Sequence, residues 1–168
     1  YAEADDVGKA LEHELVATAD ELGIVLAGPN GQGLISTSES MCAQIVAPYP
    51  PPGRISVASQ SGNLLSSLLN YAVLAGVGIS KAISSGNSAQ TRLADYLEYF
   101  AVDPETAVAL AYLEGVGGDG ERFIAAVRRL TAVKPLVLLK GGAAAEGQRA
   151  RFGQRLGRVI QNGVAHID

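Results

Sequence analysis

The stretch Ile55-Ser-Val-Ala-Ser-Gln-Ser-Gly-Asn-Leu64 decides how the rest of the chain is read. Residues 55–58 predict a buried strand, and Ser59-Gln60-Ser61-Gly62 a small polar turn. The pairs Leu64/Leu65, Leu68/Leu69 and Ala72/Val73 then recur at helical period, so a helix follows to about residue 75. A strand that feeds a helix through serine and glycine leaves backbone N–H groups without partners at the helix start. Those groups and the positive end of the helix dipole suit an anion. Ser59 and Ser61 are placed to cap the helix or to offer hydroxyls to the same anion.

Outward from this unit the alternation repeats. Strands are predicted over 79–83, 107–113 and 135–139, with helices over 91–101 and 120–130 between them. Near-continuous apolar strands separated by helices imply a doubly wound parallel sheet, flavodoxin-like in layout, with both faces covered. Each strand ends in Gly, Ser, Asn or a charged residue, as in Ser84-Ser-Gly86-Asn87, Glu114-Gly115 and Lys140-Gly-Gly142. In a parallel sheet those ends share the carboxyl edge, where ligands collect. Upstream, residues 5–22 read as an amphipathic helix, Gly23 as its stop and 24–26 as a short strand. Opening on a helix and a strand, this part reads as the tail of a larger α/β unit. Gly28-Pro29-Asn30 begins a turn-rich loop, residues 34–47 carry no clear period, and Tyr49-Pro-Pro-Pro-Gly53 reads as a stiff linker that is neither helix nor central strand.

Composition narrows the function classes. With 48% hydrophobic and 18% charged residues the chain is of ordinary globular type, and its net charge of −4 offers no footprint for nucleic acid or an anionic membrane. No apolar run approaches the ~20 residues of a membrane span, and nothing at the N-terminus reads as a signal peptide. One cysteine, Cys42, and two histidines assemble neither an internal disulfide nor a metal cluster. A reduced, cytoplasmic setting is the expectation, and no metal site.

Ser61 is also tested as a nucleophile. An elbow motif needs glycine two residues before and two after the serine, and those positions hold Ser59 and Asn63. His13 and His166 read as surface residues and Cys42 as a passive side chain, so a serine hydrolase is the weakest alternative. Glu114 closes an apolar strand and is expected to be partly buried at the sheet edge, in need of a partner. Asp95, Glu98 and Asp103 read as a solvated helix face and its end, and Arg128 and Arg129 likewise as surface.

Taken together, Gly28-Pro-Asn30, Ser59-Gln-Ser-Gly62, Ser85-Gly-Asn87, Asp95-Tyr-Leu-Glu98, Asp103-Pro-Glu-Thr106, Tyr112-Leu-Glu-Gly115 and Lys134-Pro…Lys140-Gly-Gly142 occur in a recognisable order. The chain resembles the NDP-forming acyl-CoA synthetases, relatives of the succinyl-CoA synthetase alpha subunit, up to about residue 150. The resemblance implies that residues 1–45 are the end of a CoA-binding Rossmann domain and residues 46–150 a flavodoxin-like ligase domain. It implies coenzyme A and phosphate as substrates, and ADP/ATP or GDP/GTP with Mg²⁺ on an ATP-grasp partner domain or subunit, in an oligomer. Residues Ser59, Gln60, Ser61 and Gly62 would then hold phosphate, and Glu114 would orient a phosphorylated histidine. Gly28, Pro29, Asn30, Gly86 and Asn87 would lie near the acyl thioester. The family follows its Lys-x-Gly segment with a histidine loop. Here Gly147-Gln-Arg-Ala150 fits, but Arg151-Phe-Gly-Gln-Arg-Leu-Gly157 puts Gln154 where the histidine belongs, and residues 151–168 form a divergent tail. The implication is a ligase domain inactive by itself, or else a non-catalytic phosphate, CoA-site or subunit-interaction module.

Overall fold

The computed structural model describes residues 5–45 and 48–141, together with the backbone of 164–166. The elements are α1 (Asp6–Glu21), β1 (Gly33–Ser36), β2 (Met41–Gln44), β3 (Pro52–Ser59), α2 (Gly62–Ala75), β4 (Ile79–Ser84), α3 (Leu93–Val102), β5 (Val108–Leu113), α4 (Gly120–Thr131), β6 (Leu136–Lys140) and β7 (Val164–His166). They form one seven-stranded sheet of order β2-β1-β4-β3-β5-β6-β7. From β4 to β7 every pairing is parallel, whereas β1 runs antiparallel to both β4 and β2. Numbered from β3, the parallel strands follow the 2-1-3-4-5 order of flavodoxin-like folds. Among the described residues, no helix is long and apolar enough to cross a membrane.

Two apolar layers cover the sheet. On one face α3 and α4 contribute Leu97, Phe100, Val127 and Leu130, all fully buried, against Ala109, Ala111, Leu136 and Leu138. On the other, α2 sets Leu65, Leu69 and Ala72 against Ile35, Val57, Ile79 and Ala82. Burying each large aliphatic side chain contributes ~1.5–3 kcal/mol, so both layers are needed to hold the parallel strands. Caps bound the helices where the sequence supplies them. The Asp5 carboxylate accepts from the Gly8 N–H at 2.7 Å, and α2 ends on Gly76 in the left-handed region, with φ 65°.

Several expectations from the sequence are corrected. Residues 24–26 form no strand. The Leu26 N–H donates to Gln90 Oε1, and its carbonyl accepts from the Thr91 N–H and hydroxyl, so side chains and a loop satisfy the groups that a neighbouring strand would have paired. Residues 34–47, which showed no clear period, contain the β1–β2 hairpin, in register from Gly33↔Gln44 to Ser36↔Met41. The proline-rich segment is no mere linker: Pro52 and Gly53 open β3, with a register irregularity between Pro52 and Ile55 where the missing N–H is tolerated. Asp103 is not solvated but buried at 5% exposure, its Oδ2 lying 2.9 Å from Lys81 Nζ. Lys81 lies in the middle of a fully buried strand, and a charge there needs a counter-ion. Asp95 and Glu98 pair across to α4, with Arg122 and with Arg129 respectively. Such exposed pairs contribute ~0–1 kcal/mol each.

Candidate functional site

The β3–α2 turn forms as its residues require. The Ser59 hydroxyl donates to the Ser61 carbonyl at 2.7 Å and accepts from the Ser61 N–H at 3.1 Å, closing the turn on itself. Ser61 caps α2 in an unstrained extended conformation (φ −97°, ψ 116°), its hydroxyl accepting from the Leu64 N–H at 3.4 Å. The N–H groups of Gly62 and Asn63 head the helix between them. A hydroxyl used as a cap in unstrained backbone is not a nucleophile elbow, and no histidine is hydrogen-bonded to Ser61 among the described residues.

Gln60 behaves differently from its neighbours. Its side chain reaches across to the end of β5, where Oε1 accepts from the N–H groups of Glu114 (2.6 Å) and Gly115 (3.1 Å) and Nε2 donates to the Gly115 carbonyl (2.9 Å). The side-chain amide therefore braces the two strand ends at the point where strand order reverses. Gln60→Ala should cost about 1 kcal/mol in urea denaturation and speed hydrogen exchange at the Glu114 and Gly115 amides. Unchanged exchange there would show that the brace carries no strain.

Glu114 is exposed, not partly buried as expected. Side chains alternate along β5, and Leu113 takes the core-facing position at 1% exposure, so the next residue turns outward as the strand ends. Its carbonyl accepts from Lys140 Nζ at 2.8 Å, which brings a positive charge to the same edge.

The remaining candidates come from two loops stacked back to back. The Asn87 N–H donates to the Pro29 carbonyl (2.9 Å), the Ala89 N–H to the Gly28 carbonyl (3.0 Å), and Asn30 Nδ2 to Asn87 Oδ1 (3.3 Å). Gly86 has φ 50°, and a Cβ built on it would stand 2.2 Å from the Pro29 carbonyl oxygen. The stack thus requires glycine at this position. Asn30, Gly86, Asn87, Gln60 and Glu114 all border one depression of ≈350 Å³ on the carboxyl edge of the sheet. The structure therefore brings together candidates from four separate segments. Ser59, Ser61 and Gly62 lie at the adjoining helix start, outside the lining of that depression. A larger cavity of ≈530 Å³ continues from it towards α1, and His13 lines it.

Sequence reasoning passed over two residues. Gln32 lies along the first turn of α2, with Nε2 3.4 Å from Asn63 Oδ1 and its Cγ 2.6 Å from where a Gly62 Cβ would be. Glu12 of α1 accepts from Asn87 Nδ2 at 2.7 Å and fixes that amide. No local pattern marks either, because each acts across more than thirty residues of sequence. The departure at Gln154 lies outside the described residues.

With this geometry in place, the chain compares closely with known proteins. Residues 52–156 match the succinyl-CoA ligase like flavodoxin domain. Over 150 residues the chain is 40% identical to "Acetate--CoA ligase [ADP-forming] I" of Archaeoglobus fulgidus, covering 89% of this chain and 22% of that protein. It is 35% identical to "Acetate--CoA ligase [ADP-forming] I subunit alpha" of Pyrococcus furiosus, covering 89% and 32% respectively. Among solved structures, the dinucleotide forming acetyl-coenzyme A synthetase 1 of Ca. Korarchaeum cryptofilum, in complex with phosphate and ADP, superposes with a TM-score of 0.82. It is 31% identical, with 95% of this chain and 37% of that one covered. The chain thus spans between about a fifth and two fifths of the relatives it matches. Sheet order, the β3–α2 turn and the sequence match agree: this chain belongs to the succinyl-CoA ligase-like flavodoxin domain family.

Proposed function

We propose that the chain is the ligase domain of an NDP-forming acyl-CoA synthetase. In this reaction, acyl-CoA and phosphate exchange to acyl phosphate and free CoA. The phosphoryl group then passes to a histidine, releasing the free carboxylate, and from the histidine to ADP or GDP held with Mg²⁺ on an ATP-grasp domain or subunit. The observation that carries the reading is the convergence of Asn30, Asn87, Gln60 and Glu114 on one depression at the β3/β5 strand-order reversal, in a chain of this family.

The geometry supports the following assignment of roles. The Gly62 and Asn63 N–H groups and the Ser61 hydroxyl form the phosphate cradle, the positive end of α2 favouring a dianion. Ser59 holds the turn closed and Gln60 holds it against β5, so both act on the cradle through its shape. Glu114, exposed beside it, is free to accept a hydrogen bond from an imidazole brought by another part of the assembly, which fixes the tautomer that attacks. Asn30 and Asn87, linked to each other, offer amide groups to the acyl thioester. The residues before β1 complete a CoA-binding Rossmann domain, whereas the β1–β2 hairpin, expected to belong with them, joins the ligase-domain sheet through β4. The exposed Val7, Leu11, Leu22 and Val25 on α1 and just after it are the surface that the rest of that domain covers. The exposed Cys42 thiol, without a disulfide partner, suits a reducing cytoplasm.

Gln154, in the position of the phosphorylated histidine, favours a second reading, a non-catalytic module that keeps the cradle. Both readings place phosphate at α2. Titrating the chain with inorganic phosphate should move the Gly62 and Asn63 amide resonances in a saturable way. Shifts confined to other regions would refute the cradle. Incubation with CoA, Mg·ATP and a nucleotide-binding subunit should leave no acid-labile phosphate on the chain, and label appearing would restore a histidine route and sink the prediction of inactivity.

A further inference from the structure

Gln32 has no part in the roles assigned above, yet its side chain is committed at both ends to one helix. Oε1 accepts from the Ser66 hydroxyl at 2.5 Å, and Nε2 donates to Asn63 Oδ1 at 3.4 Å. Residues 63 and 66 are three apart and so share a face of α2. Ser67 makes the bond usual for a helical serine, to the Asn63 carbonyl four residues back at 3.0 Å. Ser66 gives its hydroxyl to Gln32 instead. The carboxamide also packs on the first residue of the helix, where a Gly62 Cβ would stand 2.6 Å from Gln32 Cγ and 2.7 Å from its Cδ. One planar group with a donor end and an acceptor end thus meets residues 62, 63 and 66, and so sets the axial position and rotation of the helix start. The backbone that carries Gln32 is itself held. Its carbonyl accepts from the Ile45 N–H at 3.0 Å. A Cβ at Gly31 would stand 2.5 Å from the Ser84 carbonyl oxygen, and one at Gly33 2.1 Å from the Ala43 carbonyl oxygen, so the segment is closely packed between β4 and β2. Two residues upstream, Asn30 is joined to Asn87 in the loop stack.

We infer that Gln32 is a positioning residue, which fixes the phosphate cradle at the start of α2 relative to the Asn30 and Asn87 loops. The inference rests on the acyl-CoA synthetase reading and deepens it, because a phosphate oxygen attacks the thioester carbonyl carbon only from a set distance and direction. That attack forms the new C–O bond, and the C–S bond then breaks as the thiolate leaves as CoA. The cradle and the acyl loops are separate segments, and a misplacement of about 1 Å between reacting groups costs on the order of a hundredfold in rate. Gln60 braces the turn before α2 from the β5 side. Gln32 holds the helix from the β1 side, within the same short segment that carries Asn30.

The test uses this chain, with inorganic phosphate as the probe. Gln32→Met keeps the length and the packing against Gly62 but removes both hydrogen bonds. In the parent, phosphate should shift the Gly62 and Asn63 amides and, on the same saturation curve, the side-chain amides of Gln32, Asn30 and Asn87. In Gln32→Met the affinity should fall about fivefold, with the Gly62 shift kept at saturation and the Asn30 and Asn87 shifts lost. A residue that merely adds stability would lower the urea midpoint and leave the phosphate responses alone. Ser66→Ala should weaken phosphate about twofold by itself and have no further effect in the Gln32→Met background. Hydrogen exchange gives a reading independent of phosphate. The Leu65 and Ser66 amides should exchange about tenfold faster in Gln32→Met, with that of Ala72 unchanged. Unchanged affinity, Asn30 and Asn87 shifts that survive Gln32→Met, or additive losses with Ser66→Ala would overturn the positioning role. Phosphate that moves neither Gly62 nor Asn63 in the parent would sink the cradle reading alone. In that case faster exchange confined to the first turn of α2 upholds Gln32 as its anchor, and unchanged exchange overturns that as well.

Discussion

Replacement of Gly86 by alanine will destabilise the protein by about 2–6 kcal/mol and misplace both Asn30 and Asn87. Two costs add at this position. The backbone lies at φ 50°, where a non-glycine residue carries strain of about 1–3 kcal/mol. The new methyl would also stand 2.2 Å from the Pro29 carbonyl oxygen and 2.6 Å from the Asn30 carbonyl carbon. Those are backbone atoms, held by the Asn87 N–H to Pro29 and Ala89 N–H to Gly28 hydrogen bonds, so they yield only if the loop stack opens. Gly76→Ala separates the terms. Gly76 has a similar φ of 65°, but nothing lies within 4 Å of a Cβ there. Urea denaturation of both variants should show Gly86→Ala losing clearly more than Gly76→Ala. Equal losses would mean that the 28–31 loop gives way freely and does not position Asn30.

Asp103→Asn should cost about 3–5 kcal/mol, because it strands a lysine inside the sheet. Lys81 Nζ lies 2.9 Å from Asp103 Oδ2, with the two side chains 10% and 5% exposed. Thr106 donates its hydroxyl to the same carboxylate oxygen at 2.6 Å and is joined in turn to Ser56 of β3 at 2.7 Å. The network thus ties the end of α3 to two central strands. Burial by itself pushes the Asp103 carboxyl upward. The hydrogen bonds from Thr106, Lys81 and the Glu105 N–H, with the Lys81 charge, outweigh it and leave the group below its ordinary range. A carboxylate with a folded pKa below its unfolded value contributes stability that is complete above the unfolded value of about 3.9. That contribution is lost as pH falls through the lower folded value. Urea midpoints measured from neutral pH downward should therefore fall less steeply below about pH 4 in Asp103→Asn than in the parent. The double variant Lys81→Met/Asp103→Asn should recover part of the loss, since it removes the stranded charge. Additive losses in the double variant would show that the pair is not coupled.

Where the candidate residues lie in the fold was largely legible in the sequence. Ser59-Gln60-Ser61-Gly62 stands at the start of α2 as its small polar residues demand, and the strand ends carrying Asn87 and Glu114 reach one edge because parallel strands must end together. What the residue types concealed is how Gln60 and Ser59 are used. A glutamine beside a helix N-terminus offers an amide equally to an anion and to a neighbouring strand, and only the placement of β5 beside β3 makes it a brace. The same limit applies to Glu114, since whether a strand-end carboxylate is buried depends on which neighbour covers it.

The sequence by itself determined the alternation of strands and helices over residues 55–139, because strands covered on both faces read as continuous apolar runs and half-buried helices leave a period of 3.6, and neither signal needs knowledge of partners. It also carried the resemblance that names the family, through short motifs whose spacing survives in the chain. The tertiary structure alone decided the pairings between distant segments. The β1–β2 hairpin shows as a strand pair only because β4 offers an edge to β1, and residues 24–26 fail as a strand because the Gln90–Thr91 loop satisfies Leu26 first. Asp103 became a buried ion because β4 places Lys81 against it, and the cavity beside α1 exists because Glu12 and Asp20 dock on the 87–90 loop. Hydrogen bonds and ion pairs of this kind join groups that no window of neighbouring residues contains, so their energy is settled by the fold and not by the segment.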